Sequence, residues 1–250
     1  MSGNFYIDFI YFIIYSVIGW MCEVVYCSIP EKKFINRGFL NGPLCPIYGF
    51  GALIVIIFLT PVKDNIIAVF FLGMLFTSVL EYVTSFGMEK LFHSKWWDYS
   101  HYKFNIHGRV CLLNSILFGI MCVVLMMLIH VEVVKIVAMV SYTWIQAIAI
   151  TFIIVLTADT TVTVQTVVNI NEKLAKLKEA TSEFKEMLGD KIEDSQELIE
   201  KKLQENASLK LFEKRVLAAF PNMRSVKFQY QLEQVRDHIS KMKKKIKERK

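Results

Sequence analysis

Carboxylates standing where the sequence is otherwise apolar are the first residues able to bind or react. Glu23 follows Gly19, Trp20, Met21 and Cys22 near the end of the first apolar run, Glu81 lies near the end of the third, and Glu89 follows eight residues later. A carboxylate in hydrocarbon costs roughly 2.5 to 3.5 kcal/mol on insertion scales, so it must face protein, a water-filled cavity or an opposite charge. Arg37 and Arg109 are the cations available at the same boundary, where an arginine either pairs with a carboxylate or holds a phosphate bidentately. Glu23, Glu81, Arg37 and Arg109 are therefore candidates for a substrate or ion site, and equally for structural ion pairs. Asp159 ranks below them, because the fifth apolar run reads as ending before it, which leaves its side chain in solvent.

Two loops carry the remaining candidates. In the first, Asn41-Gly42-Pro43 and then Pro46 stop any regular helix, while Gly49 and Gly51 permit close backbone approach beside Tyr48. Non-helical backbone at membrane depth persists only when covered by protein or lining a cavity, so this broken start of a span is a binding element or a loop resting on the bilayer surface. The second loop holds Trp96, Trp97, Asp98, Tyr99, Asn105 and His107. Trp and Tyr suit the headgroup layer, which accounts for much of that composition. His93, His101 and His107 lack a metal-ligand spacing, and Asp98 between Trp97 and Tyr99 serves equally as a loop cap. No metal and no cofactor is expected. The five cysteines form no CxxC pair and read as buried thiols. HExxH, GxxxxGK[ST], GxSxG and Rossmann glycine patterns are absent, so no enzyme is indicated, and any ATP hydrolysis must come from a separate chain.

The elements that must position these residues are membrane helices. Of the 250 residues 54% are hydrophobic and 21% charged, and the charge is unevenly spread: residues 1–168 carry nine basic and nine acidic side chains, whereas residues 169–250 hold the whole net charge of +6. Long apolar runs at residues 5–27, 44–59, 66–86, 110–129 and 136–158 predict an all-α polytopic bundle of about five transmembrane helices over residues 1–168. The second run is short and bounded by prolines, so it is tilted, broken or re-entrant. MSGNFYID lacks the basic leader of a signal peptide, and the first run reads as a retained helix. Loops 28–41 and 87–109 are rich in Lys and Arg while the alternate connections hold one lysine each, which predicts a multi-pass cell-membrane protein with the N-terminus outside and the C-terminus cytoplasmic.

Residues 169–250 read as a cytoplasmic helical tail. Leu174, Leu177, Phe184 and Leu188 share a helix face, and the stripe continues with a shifted phase through Ile192, Ile199 and Leu203, with a break near Gly189. After Pro221, the positions Phe228, Leu232, Val235, Ile239, Met242 and Ile246 keep a 4-3-4-3-4 spacing, a coiled-coil seam that back-folding or homodimerisation would bury. The lysine-rich terminus suits anionic lipid headgroups, whereas nucleic acid is not indicated.

Taken together, Gly19, Trp20 and Glu23, the run Asn36-Arg37-Gly38-Phe39-Leu40-Asn41-Gly42-Pro43, Cys45-Pro46-Ile47-Tyr48-Gly49, Glu81, Glu89, Trp97-Asp98-Tyr99 and Asn105-Ile106-His107-Gly108-Arg109 resemble a bacterial membrane family labelled putative ABC-transporter type IV, CmpB. The resemblance covers about residues 5–160 and implies a permease-like part, with the tail added to the family core; it assigns no catalytic or substrate residue. Two functions from different classes follow. One is a transporter-associated subunit with a polar site near the cytoplasmic boundary and a separate ATPase partner. The other is a non-transporting scaffold or regulator recruiting a partner through its coiled-coil tail, and a lipid-handling enzyme ranks below both.

Overall fold

The computed structural model describes residues 3–188 and 210–248. Asn4 starts the first helix, its Oδ1 accepting from the N–H groups of Tyr6 (3.0 Å) and Ile7 (3.5 Å). Helix α1 (Phe5–Glu31) then runs 27 residues until Lys32, in the left-handed region, ends it. Such a helix reaches about 40 Å, more than the roughly 30 Å of hydrocarbon. Helix α2 (Pro46–Leu59) opens on a proline, whose missing N–H costs nothing in the first turn. Its 14 residues reach about 21 Å before a 3-10 turn at Thr60–Val62. Helix α3 (Ile66–Phe92), the run α4 (Leu112–Val124) and α5 (His130–Ala138) joined by a π-helical turn at Leu125–Ile129, and helix α6 (Tyr142–Leu188) follow. Helices α7 (Leu211–Ala219) and α8 (Gln229–Glu248) complete the described chain.

Four segments, Phe5–Ile29, Ile66–Phe92, Leu112–Ala138 and Tyr142–Ser182, are long and apolar enough to cross a membrane, and Pro46–Val62 is a shorter apolar helix. The protein is thus an all-α polytopic membrane bundle with further helices after the spans. Two expected boundaries move. The fourth span does not end at Ile129 but stays helical to Ala138, so the loop expected before Ile136 falls instead at residues 139–141. His130, Glu132 and Lys135 are polar but helix-compatible, and Lys135 Nζ meets Glu132 Oε1 at 2.7 Å; polarity alone does not break a helix, and residues 125–138 hold no Gly or Pro. The fifth span likewise continues past Ala158, because no Gly or Pro interrupts residues 142–188. Asp159 is therefore inside a helix, not in solvent beyond one. Four two-residue β segments, too short for any periodic signal, also occur: β1 (Ser94–Lys95) pairs antiparallel with β4 (Arg224–Ser225), and β2 (Asn105–Ile106) with β3 (Val110–Cys111).

The chain divides into two compact units, Met1–Gly87 with Trp97–Thr163, and Met88–Trp96 with Val164–Lys250. In the first unit Tyr11, Tyr15, Val55, Ile56, Leu59 and Val69 lead a core shared with Cys122 and Met126. Exposed Phe71, Leu75, Val79 and Val83 line one side of α3, a face suited to lipid. Helices α1 and α2 meet at glycines: a Cβ on Gly49 would collide with Ser16 Oγ and lie 2.7 Å from the Phe12 carbonyl, and one on Gly19 would collide with Tyr48 Cβ. In the second unit Trp96 is only 2% exposed, edge-on to Phe92 and Phe220, so it is a core residue and not the headgroup-layer aromatic its loop suggested. Leu174, Leu177, Val216, Leu217, Leu232 and Val235 are buried within the same unit. The stripe from Phe228 is thus partly covered within one chain, while Gly189, Ile192, Ile199, Leu203 and the side chains of Phe184, Leu188, Met242 and Ile246 lie outside the described residues.

The α1–α2 contact yields a stability test. Gly49→Ala must push backbone apart and should cost about 1 to 3 kcal/mol in thermal unfolding of the detergent-solubilised chain. Gly87→Ala, where nothing lies within 4 Å of the new Cβ, should leave stability equal or slightly raised.

Candidate functional site

The first loop is held by a chain of side-chain acceptors. Asn36 Oδ1 accepts from Trp20 Nε1 (2.8 Å) and Gly38 N–H (3.2 Å), and Asn36 Nδ2 donates to the Asn41 carbonyl at 2.8 Å. Asn41 in turn donates to Asp159 Oδ1 through its N–H (3.0 Å) and its Nδ2 (2.9 Å), the latter also reaching Thr163 Oγ1 at 2.9 Å. Gly42 N–H donates to Asp159 Oδ2 at 2.7 Å. Both oxygens of a carboxylate within a membrane helix are thereby satisfied by a loop that cannot form a helix of its own. At the far end Cys45 N–H donates to the Ser16 carbonyl at 3.0 Å, and α2 begins one residue later at half-buried Pro46, while Pro43 stays exposed.

This loop carries Arg37 to Glu23. Arg37 Nε stands 4.0 Å from Glu23 Oε2, at the outer limit of an ion pair. Glu23 Oε1 accepts from the Tyr48 hydroxyl at 2.7 Å, and the Glu23 side chain is 27% exposed. Tyr48 is placed by α2, where Gly19 leaves room for its ring against α1.

The second loop carries Tyr99 to Glu81. Glu81 is 5% exposed; its Oε1 accepts from the Tyr99 hydroxyl at 3.2 Å, and its Oε2 has no hydrogen-bond partner among the described residues. Burial pushes the Tyr99 phenol up, and the charges of Glu81 and then Glu23 push it further, so both carboxylates act on one phenol. The loop is braced from below: Tyr99 N–H donates to the Gly108 carbonyl at 2.8 Å, Gly108 N–H to Asn105 Oδ1 at 2.9 Å, and Asn105 Nδ2 to the Tyr102 carbonyl at 2.8 Å. Asp98 accepts from both the N–H and the hydroxyl of Ser100, which is the loop-cap role. His107 and Gly108 are both left-handed, a turn that glycine favours, and His107 Nδ1 lies 3.0 Å from the Tyr82 hydroxyl.

Arg109 is 9% exposed and donates through Nη1 to Ser85 Oγ at 3.3 Å. Its guanidinium carbon sits 5.7 Å from the Tyr82 ring centre and 5.4 Å from that of Phe86, within cation–π range. Trp97 Nε1 donates to the Arg109 carbonyl at 3.0 Å. Glu89 belongs, with Trp96, to the second unit. Among the described residues no group of three or more His, Cys, Asp or Glu side chains is placed to hold a metal ion.

Structure thus brings Glu23, Arg37, Tyr48, Glu81 and Tyr99 into one polar region of the first unit, with Arg109 of the second loop held against Tyr82, Ser85 and Phe86 of α3. Sequence reasoning passed over Asn36, Ser85 and Thr163 and underrated Asp159. The signal for Asp159 was present: it is the sole charge between Lys135 and Glu172, in a stretch without a helix breaker.

A family model described as Putative ABC-transporter type IV matches residues 10–164. No curated protein and no solved structure matches the chain. The matched residues include both loops and every side chain of the polar region.

Removing one phenol at a time separates the two carboxylates. Tyr99→Phe leaves buried Glu81 without its donor and should cost about 1 to 3 kcal/mol in thermal unfolding, whereas Tyr48→Phe, beside the more exposed Glu23, should cost less.

Proposed function

Since the chain belongs to the Putative ABC-transporter type IV family, we propose that it is a permease-like, transporter-associated subunit whose polar site near the cytoplasmic boundary is framed by Glu23, Arg37, Glu81, Tyr99 and Arg109. The observation that carries this reading is Glu81, a 95% buried carboxylate on a membrane helix with one oxygen held by a phenol and the other bare. A purely structural ion pair would spend both oxygens on its partner; one left bare supports a role in binding. Loop residues Asn41 and Pro43 with Pro46 and Tyr48 of α2 position one side of the site, and Trp97, Asp98, Asn105 and His107 the other.

The same proposal includes five membrane crossings, with Pro46–Val62 as the short one, and an N-terminus outside with a cytoplasmic C-terminus, supported by the lysines and arginines of loops 28–41 and 87–109. It divides the chain into a membrane part, residues 1–168, and a cytoplasmic tail, residues 169–250. A separate ATPase chain supplies the energy, membrane lipids surround the spans, and two tails pair as a coiled coil along the sequence spacing Phe228, Leu232, Val235, Ile239, Met242 and Ile246.

Native mass spectrometry of the protein extracted gently from its own membrane should find an ATPase chain at fixed stoichiometry. Glu81→Gln should preserve that assembly while abolishing its substrate-stimulated ATP hydrolysis. A lone chain or dimer carrying only lipid removes the ABC-subunit reading.

A further inference from the structure

In the second unit, the chain that follows the spans is fastened to the end of α3. Helix α3 closes at Phe92, and the Phe92 carbonyl accepts from Asn171 Nδ2 at 2.9 Å. The carbonyl of the next residue, His93, accepts from the Val226 N–H at 2.8 Å, and β1 pairs Ser94 with Ser225 and Lys95 with Arg224. The Trp96 and Phe220 rings then meet edge-on, 4.9 Å apart. Helix α7 is tied to the same stretch of α6: Glu213 accepts from Lys173 Nζ and from the Lys210 N–H, each at 2.7 Å, and Lys173 stands two residues beyond Asn171. The 27 residues of α3 reach about 40 Å, close to the thickness of the hydrocarbon with its two headgroup layers, so chain fastened to its end lies at headgroup depth.

The side chains carried to that depth are of two kinds. Residues 210–230 contain the cations Lys210, Lys214, Arg215, Arg224 and Lys227 and a single carboxylate, Glu213. Glu213 is buried against Lys173, whereas Lys214, Arg224 and Lys227 are exposed, so the charge this segment shows outward is positive. Lys95 and Arg224 stand opposite one another in a strand pair, a like-charge placement that an anion between them relieves. Large apolar side chains alternate with these cations: Leu211, Phe212, Val226 and Tyr230 are all exposed. Water would leave the apolar groups unsatisfied and a neutral apolar partner would leave the cations so; an anionic headgroup layer suits both.

We infer that residues 210–230 form a lipid-docking surface that rests on the bilayer at the end of α3, with Leu211, Phe212, Val226 and Tyr230 entering the headgroup layer and Lys214, Arg224 and Lys227 on the phosphates of anionic lipids. The surface is distinct from the lysine-rich terminus, residues 241–250, and it does not depend on an ATPase partner or on the polar region around Glu81.

The test is amide hydrogen exchange of the full chain in nanodiscs of phosphatidylcholine alone and of phosphatidylcholine mixed with phosphatidylglycerol. Amides of residues 210–214 and 226–230 should exchange at least about tenfold more slowly in the anionic discs. The variant carrying Lys214→Gln, Arg224→Gln and Lys227→Gln, with residues 241–250 intact, should lose that difference while its unfolding temperature in detergent stays unchanged. Should this variant unfold early, raised salt on the unaltered chain takes its place and should erase the difference by screening. Equal exchange in the two lipids, or slowing that survives both the triple variant and salt, overturns the inference. Slowing that follows the number of chains per disc and not the lipid assigns these side chains to a second copy, and overturns it as well.

Discussion

Asp159 is a carboxylate on a membrane helix, and the rest of the first unit follows from how its charge is satisfied. Three hydrogen bonds from Asn41 and Gly42 do it, two of them from backbone N–H groups that a Gly-Pro-interrupted loop leaves without helical partners. Each side thus cancels the other's cost: an ionised group away from water, and backbone donors away from water. Because the loop is pinned there, Asn36 can tie Trp20 to the Asn41 carbonyl, Arg37 points at Glu23, and Cys45 reaches Ser16 so that α2 starts at Pro46 and delivers Tyr48.

The three carboxylates near this loop and its neighbour are satisfied to different degrees. Asp159 has donors on both oxygens. Glu23 has a phenol on one and, each at 4.0 Å, the Cys27 thiol and the Arg37 guanidinium on the other, with some access to solvent. Glu81, the most buried, has a single phenol. The fold directs four donors at Asp159, from Asn41, Gly42 and Thr163, and leaves an oxygen of Glu81 bare in the same unit, and the binding role proposed for Glu81 rests on that contrast. Its family, described as a transporter, is consistent with that arrangement.

Much of this was legible in the sequence, for identifiable reasons. Apolar runs long enough to span a bilayer mark helices by length alone, and Asn41-Gly42-Pro43 with Pro46 marks the broken start of α2. Glu23, Glu81, Arg37 and Arg109 stood out because charge in an apolar context is costly. Their partners did not stand out: that Glu81 meets Tyr99, or that Arg109 meets Ser85 and two rings, depends on how the second loop folds back, and no periodicity encodes that. Helix ends misled where polarity stood in for a breaker, at His130 to Lys135 and again at Asp159, since tertiary hydrogen bonds to Asn41 and Gly42 let a polar residue sit inside a continuing helix. Trp96 misled for the opposite reason, because a loop aromatic suited to headgroups is equally suited to a core.

The most direct test of this account is a double-mutant cycle between Asn41 and Asp159, read by thermal unfolding of the wild-type chain, Asn41→Ala, Asp159→Ala and the double variant in one detergent. The account predicts a coupling of about 1 to 3 kcal/mol, with the double variant little worse than Asp159→Ala alone. Costs that add to within about 0.5 kcal/mol would mean that the two residues act independently, and would contradict the claim that Asp159 holds the loop that builds the site.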